Sequence, residues 1–245
     1  MDGERMLDMK TESPRLLARL AGVFFLLTIV GGIIAQGFIS ERLINFSDAA
    51  ATANNILANR GLFQAGFSIF LIEMACQLIT AALMYLLLKP VNRTLALLML
   101  LFELVGIVVK TFARVFYIAP LYLLEGGGAL SGLDAVQLQS ISLVLLKVND
   151  IGAATALALF GFSTPLAGYL IFRSTYLPRW LGAIGMIAGV GWLAYIYPPL
   201  GSSVFLFVAL VALIASVAQI FWLIVFGVDE EKFRAVEGAQ QLHGG

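Results

Sequence analysis

Charge is scarce in this sequence. Only 12% of the 245 residues are Asp, Glu, Lys or Arg, while 60% are hydrophobic and the mean hydropathy is +0.95. Soluble domains carry about a quarter charged residues, so this composition argues against a soluble fold. The formal net charge is zero, and only the placement of the charges along the chain can indicate an orientation.

Cysteine and histidine occur once each, and their scarcity excludes several kinds of site. Cys76 has no second cysteine with which to form an internal disulfide, and His243 lies outside every apolar stretch of the sequence. No HExxH motif, P-loop or dinucleotide-binding fingerprint is present. We therefore expect no metal ion, no cofactor and no nucleic-acid partner.

Six apolar stretches are each long enough to cross a bilayer, whose hydrocarbon core of about 30 Å requires roughly 20 residues per helix. They lie at about 17–39, 62–88, 95–119, 140–172, 181–199 and 203–227. The first is longer than a signal-peptide core of about 7–15 residues and no A-x-A site follows it, so we interpret it as a retained helix. The sequence predicts an all-α polytopic membrane protein, with a six-helix transmembrane bundle over residues 16–227 between tails at 1–15 and 228–245.

Lysine and arginine concentrate on one side of this predicted bundle. The other side has Arg42 and Arg60. The side of the tails has ten such residues, namely Arg5, Lys10, Arg15, Arg19, Lys89, Arg93, Arg173, Arg179, Lys232 and Arg234. The positive-inside rule therefore predicts that both termini are cytoplasmic.

The connection SDAAATANNILANRG has the pattern of a short helix on the outer surface. Its opening Ser-Asp pair can supply an N-cap, and Gly61 suits the position after the last helical residue. Ile56 and Leu57 can face the membrane while the asparagines stay in water. We expect a short amphipathic helix on the outer bilayer surface.

Three ionisable residues interrupt the otherwise apolar third span. At 100° per residue, Glu103, Lys110 and Arg114 fall within roughly 40° of one another, on one stripe of the helix. Ionisable groups inside a span almost always face the bundle interior, where they pair or line a wet cavity. We therefore expect this stripe to face the neighbouring spans rather than lipid.

Spans two and four carry polar residues that can meet the stripe: Glu73 and Gln77 in span two, and Lys147 and Asp150 in span four. The helical rise puts Glu73 of span two and Lys110 at matching depths, so Glu73 is the expected partner of Lys110. We predict a charged intramembrane pocket that opens towards the outer face, with Arg114 at its entrance and Glu103 at its floor. Its polar and ionisable residues are Glu73, Gln77, Glu103, Lys110, Arg114, Lys147 and Asp150.

Span five contains a GxxxG pair, Gly185 and Gly189. Small residues at this spacing let two helices approach closely. The pair can serve packing within the chain or, as the alternative, self-association with a second copy.

Four stretches of the sequence together resemble a known family. They are PRLLARLAG at 14–22, SDAAATANNILANRGLFQAGF at 47–67, LLLKPVNRTLALL at 86–98 and GYLIFRSTYLPRWLGAIG at 168–185. In this order they resemble the bacterial integral membrane family catalogued as domain of unknown function 4386. The resemblance implies a polytopic protein of the bacterial inner (plasma) membrane and supplies no substrate and no catalytic residue.

Three functions fit these residues. The first is binding, and with it sensing or transport, of a small anionic or amphipathic, lipid-like molecule in the charged pocket. The second is an intramembrane enzyme with Glu73 or Asp150 as general acid or base. The third is a structural partner subunit whose ion pairs fix helix register. Binding is favoured, because six ionisable groups on three spans exceed what register requires, and the question of catalysis stays open.

Overall fold

The computed structural model describes residues 13–126 and 132–243, which form helices joined by short connections and contain no strand. Six helices are long and apolar enough to cross a membrane: α1 (Pro14–Leu43), α3 (Arg60–Leu88), α4 (Arg93–Glu125), α5 (Ala135–Arg173), α6 (Arg179–Ile196) and α7 (Pro198–Val225). Two shorter helices are α2 (Ala49–Ala58) and α8 (Glu230–His243). The predicted all-α fold with six spans is confirmed.

Side-chain caps begin three of these helices. Asp48, Asn92 and Asp134 each accept a hydrogen bond from the backbone N–H three residues later. At α5 the Gln137 side chain also accepts from the backbone N–H of Asp134, which completes a capping box. Each cap satisfies a donor that the first turn of a helix leaves without an intrahelical partner, so local sequence sets where these helices begin.

The short helix α2 has the predicted amphipathic pattern, but its apolar face turns to the bundle and not to the membrane. Ile56 is fully buried, in a cluster with Phe63 and Leu121. Packing against neighbouring helices removes Ile56 from water, so its side chain is buried without contacting lipid. The chain turns at Asn59, so Gly61, predicted to follow α2, lies inside α3.

The six long helices form a ring. They follow one another in chain order, and α7 returns to pack against α1. Helices α5 and α6 approach each other closely, since a Cβ on Gly182 would lie 2.4 Å from the carbonyl oxygen of Gly168 and a Cβ on Gly189 would lie 2.5 Å from Pro165. Gly185 is buried beside them. Both GxxxG glycines therefore pack within the chain, and self-association through them stays a prediction.

Two apolar clusters fill the two ends of the ring. The terminal cluster lies at the end where the Ser13 hydroxyl donates to Glu230, and the distal cluster lies at the opposite end. Members of the terminal cluster include Leu17, Leu87, Met99, Leu170, Tyr176 and Leu223. Members of the distal cluster include Ile39, Ile56, Phe63, Phe70, Tyr117, Leu121 and Leu146. The ionisable residues of α3 and α4 lie between these two clusters or at their edges.

The turn between α5 and α6 anchors the terminal end. The Tyr176 hydroxyl donates to the Leu87 carbonyl at 2.6 Å, which is one of the carbonyls left free at the end of α3. Burial raises the pKa of Tyr176, so the hydroxyl stays a donor. Phe233 of α8 packs edge-on against the same ring. The segment predicted as a C-terminal tail thus begins with a helix packed onto the bundle.

Candidate binding site

A cavity of about 550 Å³ lies inside the ring, between the terminal and distal clusters. All six long helices contribute to its wall, which is mainly apolar and is built largely from phenylalanine, leucine, isoleucine and alanine. Pockets for small molecules measure about 300–1,000 Å³ and are lined by apolar side chains with a few polar groups. The cavity has the size and the kind of wall that such a site requires.

The ion pair at this cavity joins α3 to α4. Lys110 Nζ lies 2.6 Å from Glu73 Oε1, in agreement with the matching depths of the two residues. The side chains are 18% and 4% exposed. Helix α1 lies against this pair at Gly32, where an added Cβ would be 3.4 Å from Glu73 Oε1. Three helices therefore enclose the pair.

Glu103 forms the second polar centre of the cavity wall. Its Oε1 accepts from Gln77 Nε2 at 2.8 Å, and its Oε2 accepts from the Ser163 hydroxyl of α5. These bonds link α3, α4 and α5. Sequence reasoning missed Ser163, because a single serine in an apolar helix carries no signal that another helix will bring a carboxylate to it.

Two acceptor atoms in this wall have no donor. Glu73 Oε2 and Gln77 Oε1 are both buried, and neither accepts a hydrogen bond from any residue that the structure describes. Most buried polar atoms in proteins are hydrogen-bonded, and an unsatisfied one costs about 1–3 kcal/mol. The two residues lie four apart on α3, so their side chains are neighbours on one face of the helix.

Arg114, the predicted entrance residue, lies beside the distal cluster and does not line the cavity. Its Nη1 donates to Asn149 Oδ1 at 3.0 Å, and its guanidinium carbon lies 3.7 Å from the centroid of the Phe70 ring. Only 3% of the residue is exposed. A cation over an aromatic face is stabilised by the ring quadrupole, so Arg114 links α3, α4 and α5 at this level.

Lys147 and Asp150 are exposed and lie outside the cavity wall. Leu146 and Asn149 are buried, so they occupy the inward positions of α5 and turn their neighbours outwards. Measured from Arg173, the two ionisable residues lie about 35–39 Å along the helix, beyond a hydrocarbon core of about 30 Å. The structure therefore gathers four predicted site residues at the cavity, Glu73, Gln77, Glu103 and Lys110.

The exposed part of the cavity wall lies between α1 and α7. Ile33, Phe205 and Leu213 line the cavity and are 46%, 47% and 40% exposed. Nearer the terminal end the two helices touch, since a Cβ on Gly22 would lie 2.8 Å from Ile224. The cavity thus reaches the surface between the middle and distal parts of α1 and α7, on the side of the ring that faces lipid.

A ring of six apolar helices with an interior cavity defines a multi-pass membrane protein. The family model described as Domain of unknown function (DUF4386) matches residues 20–227, and the chain belongs to this family, as its resemblance predicted. An uncharacterized protein of Archaeoglobus fulgidus is 29% identical to it over 166 residues, which cover 65% of this chain and 81% of that protein. No solved structure matches the chain.

Proposed function

We propose that this protein binds a small amphipathic molecule inside its helix ring. The supporting observation is the cavity of about 550 Å³, in which an apolar wall surrounds a compact polar cluster of Glu73, Gln77, Glu103 and Lys110. In such sites a few polar groups orient the ligand while apolar surface holds the remainder. Sensing and transport both begin with this binding step.

The proposed entrance is the gap between α1 and α7. This differs from the outer-face opening that the sequence suggested, because α2 and the distal cluster cover the distal end of the ring. Ile33, Phe205 and Leu213 form the exposed part of the wall, and in a membrane they face acyl chains. An amphipathic molecule dissolved in the bilayer can then enter without crossing water.

Binding accounts for the site better than the two alternatives do. Of the carboxylates considered as acid or base, Asp150 lies outside the cavity wall and Glu73 is engaged by Lys110. A register-fixing role would explain that ion pair but would not explain the cavity.

Native mass spectrometry of the protein purified in a mild nonionic detergent tests this proposal. We expect a population that carries one small-molecule adduct. Ala212→Trp, which fills the cavity from α7, should abolish the adduct. Ile214→Trp is the control, because Ile214 is 69% exposed on the outer side of the same helix, and this variant should keep the adduct. Equal adduct in both variants, at unchanged melting temperature, would contradict binding in the cavity.

We also propose that both termini are cytoplasmic and that the protein resides in a bacterial plasma membrane. The hydrogen bond between Ser13 and Glu230 supports a shared face for the two ends, and the excess of lysine and arginine supports a cytoplasmic face. In a Cys76→Ser background, Gly132→Cys should react with an impermeant thiol reagent in intact cells. Thr175→Cys, the control on the terminal face, should react only after permeabilisation. The opposite pattern would invert the proposed orientation.

A further inference from the structure

Two buried acceptor atoms belong to residues of the cavity wall and have no donor among the described residues. These atoms are Glu73 Oε2 and Gln77 Oε1. They lie one helical turn apart on α3, so a single head group can reach both. Neither atom can donate, because one belongs to a carboxylate and the other is an amide oxygen. The group that satisfies them must therefore bring N–H or O–H donors.

The formal charge of the cavity wall also argues against an anionic ligand. Its ionisable residues are Glu73, Glu103 and Lys110, two acids and one base, so the wall itself has a formal net charge of −1 when all three are ionised, while Arg114 interacts electrostatically with Glu73 from outside the wall. Lys110 is paired with Glu73, and Glu103 is held by neutral donors. An anionic head group would increase this charge and leave both acceptors unsatisfied, which is unfavourable in a buried site.

We infer, on the basis of the proposed binding function, that the ligand carries a cationic N–H head group of the primary-amine class on an apolar tail. An ammonium group offers three donors and no acceptor, so two of its donors can bind the two free acceptors, and its charge offsets the formal charge of the wall. The sequence predicts an anionic or amphipathic molecule, and the candidate cations for binding an anion are Lys110, Arg114 and Lys147. The structure pairs the first with Glu73, directs the second to Asn149 and leaves the third outside the cavity.

The tail of such a ligand has an apolar path to the surface. Phe25, Ile29 and Ile33 of α1 line the cavity opposite Phe205 and Leu213 of α7. With the ammonium group at Glu73 and Gln77, a linear chain lies along these side chains towards the gap between the two helices. The head group is thus held inside the ring while the tail points to the bilayer.

Trp192 provides a probe of occupancy, because it also lines the cavity. The chain has three tryptophans, and Trp180→Phe with Trp222→Phe leaves Trp192 as the only indole. An ω-bromoundecyl amine, alcohol and carboxylic acid share one quenching chain and differ only in the head group. Titrated in nonionic detergent at mildly alkaline pH, the amine should quench Trp192 saturably and bind about tenfold or more tightly than the alcohol. The carboxylate should bind most weakly.

A matched pair of variants localises the head group. Gln77→Met removes one acceptor, together with the Nε2 donor to Glu103, at nearly constant side-chain size and should weaken amine binding about tenfold. Gln64→Met makes the same change at an exposed position of the same helix and should leave amine binding unchanged. The ranking of the three head groups needs neither variant, so it remains decisive if Gln77→Met fails to fold.

The possible outcomes separate this inference from the proposed function. Alcohol or carboxylate binding as tight as that of the amine, or equal binding in Gln77→Met and Gln64→Met, would overturn the cationic head group while a ligand-binding cavity stands. Absence of saturable quenching by all three probes would overturn the binding function itself.

Discussion

Lys110→Met should destabilise the protein more than the double variant Glu73→Gln/Lys110→Met. The single change leaves the Glu73 carboxylate, whose side chain is 4% exposed, without its countercharge. Removing one member of a buried ion pair costs about 3–5 kcal/mol. Removing both charges avoids the isolated carboxylate, so the coupling free energy of the cycle should lie in the upper part of the range of about 0.5–3 kcal/mol seen for contacting residues.

Unfolding of the wild type, the two single variants and the double variant in the same detergent measures this coupling. The matched control is the Arg60–Glu125 pair, whose charged atoms lie 3.2 Å apart but whose side chains are 55% and 36% exposed. The corresponding cycle there, with Arg60→Met and Glu125→Gln, should give about 0–1 kcal/mol. Additive losses at Glu73 and Lys110 would show that the two groups do not stabilise each other.

Gly182→Ala should destabilise the bundle, whereas Gly185→Ala should not. A Cβ on Gly182 would lie 2.4 Å from both the Gly168 carbonyl oxygen and the Phe172 backbone nitrogen, and backbone atoms cannot rotate away as a side chain does. Overpacking typically costs about 1–3 kcal/mol, and we expect the upper end here. At Gly185 the nearest atom would be the Gly168 Cα at 3.6 Å, an ordinary van der Waals contact.

Thermal unfolding of the two variants in one detergent provides the comparison. Alanine favours a helix over glycine by about 0.8–1 kcal/mol, so Gly185→Ala should melt at the wild-type temperature or slightly above it, while Gly182→Ala should melt well below. Equal melting temperatures would mean that α5 and α6 do not approach closely at Gly182. Light scattering of Gly185→Ala also tests whether this glycine supports self-association.

The spans are the part of the fold that the sequence predicts best. The second is predicted at about 62–88 and is found at Arg60–Leu88, because a helix in lipid must be apolar over about 20 residues and must satisfy its own backbone hydrogen bonds. The depth of a residue in the membrane also follows from the local sequence. Counting residues from the ends of two antiparallel spans brings Glu73 to the level of Lys110, and the structure joins them at 2.6 Å.

Rotation of a helix about its axis is harder to derive. Periodicity shows which residues of α5 share a face, but not which face turns inwards. Their charge predicts that Lys147 and Asp150 face the pocket, but in the structure the buried Leu146 and Asn149 take the inward positions. The exposed distal part of α5 can keep its charges outside the hydrocarbon, so the rule that intramembrane charges face inwards does not hold there.

By itself the sequence determined the class of protein, the number of spans, the pairing of Glu73 with Lys110 and the likeness to its family. Each of these follows from hydropathy, length along a helix, or local sequence. Only the tertiary structure decided that Ser163 meets Glu103, that Arg114 faces Asn149, and that two acceptors of α3 stay free beside an apolar cavity. These depend on the relative rotation and tilt of several helices, which are set by packing contacts such as Gly182 against Gly168, distributed over the whole ring.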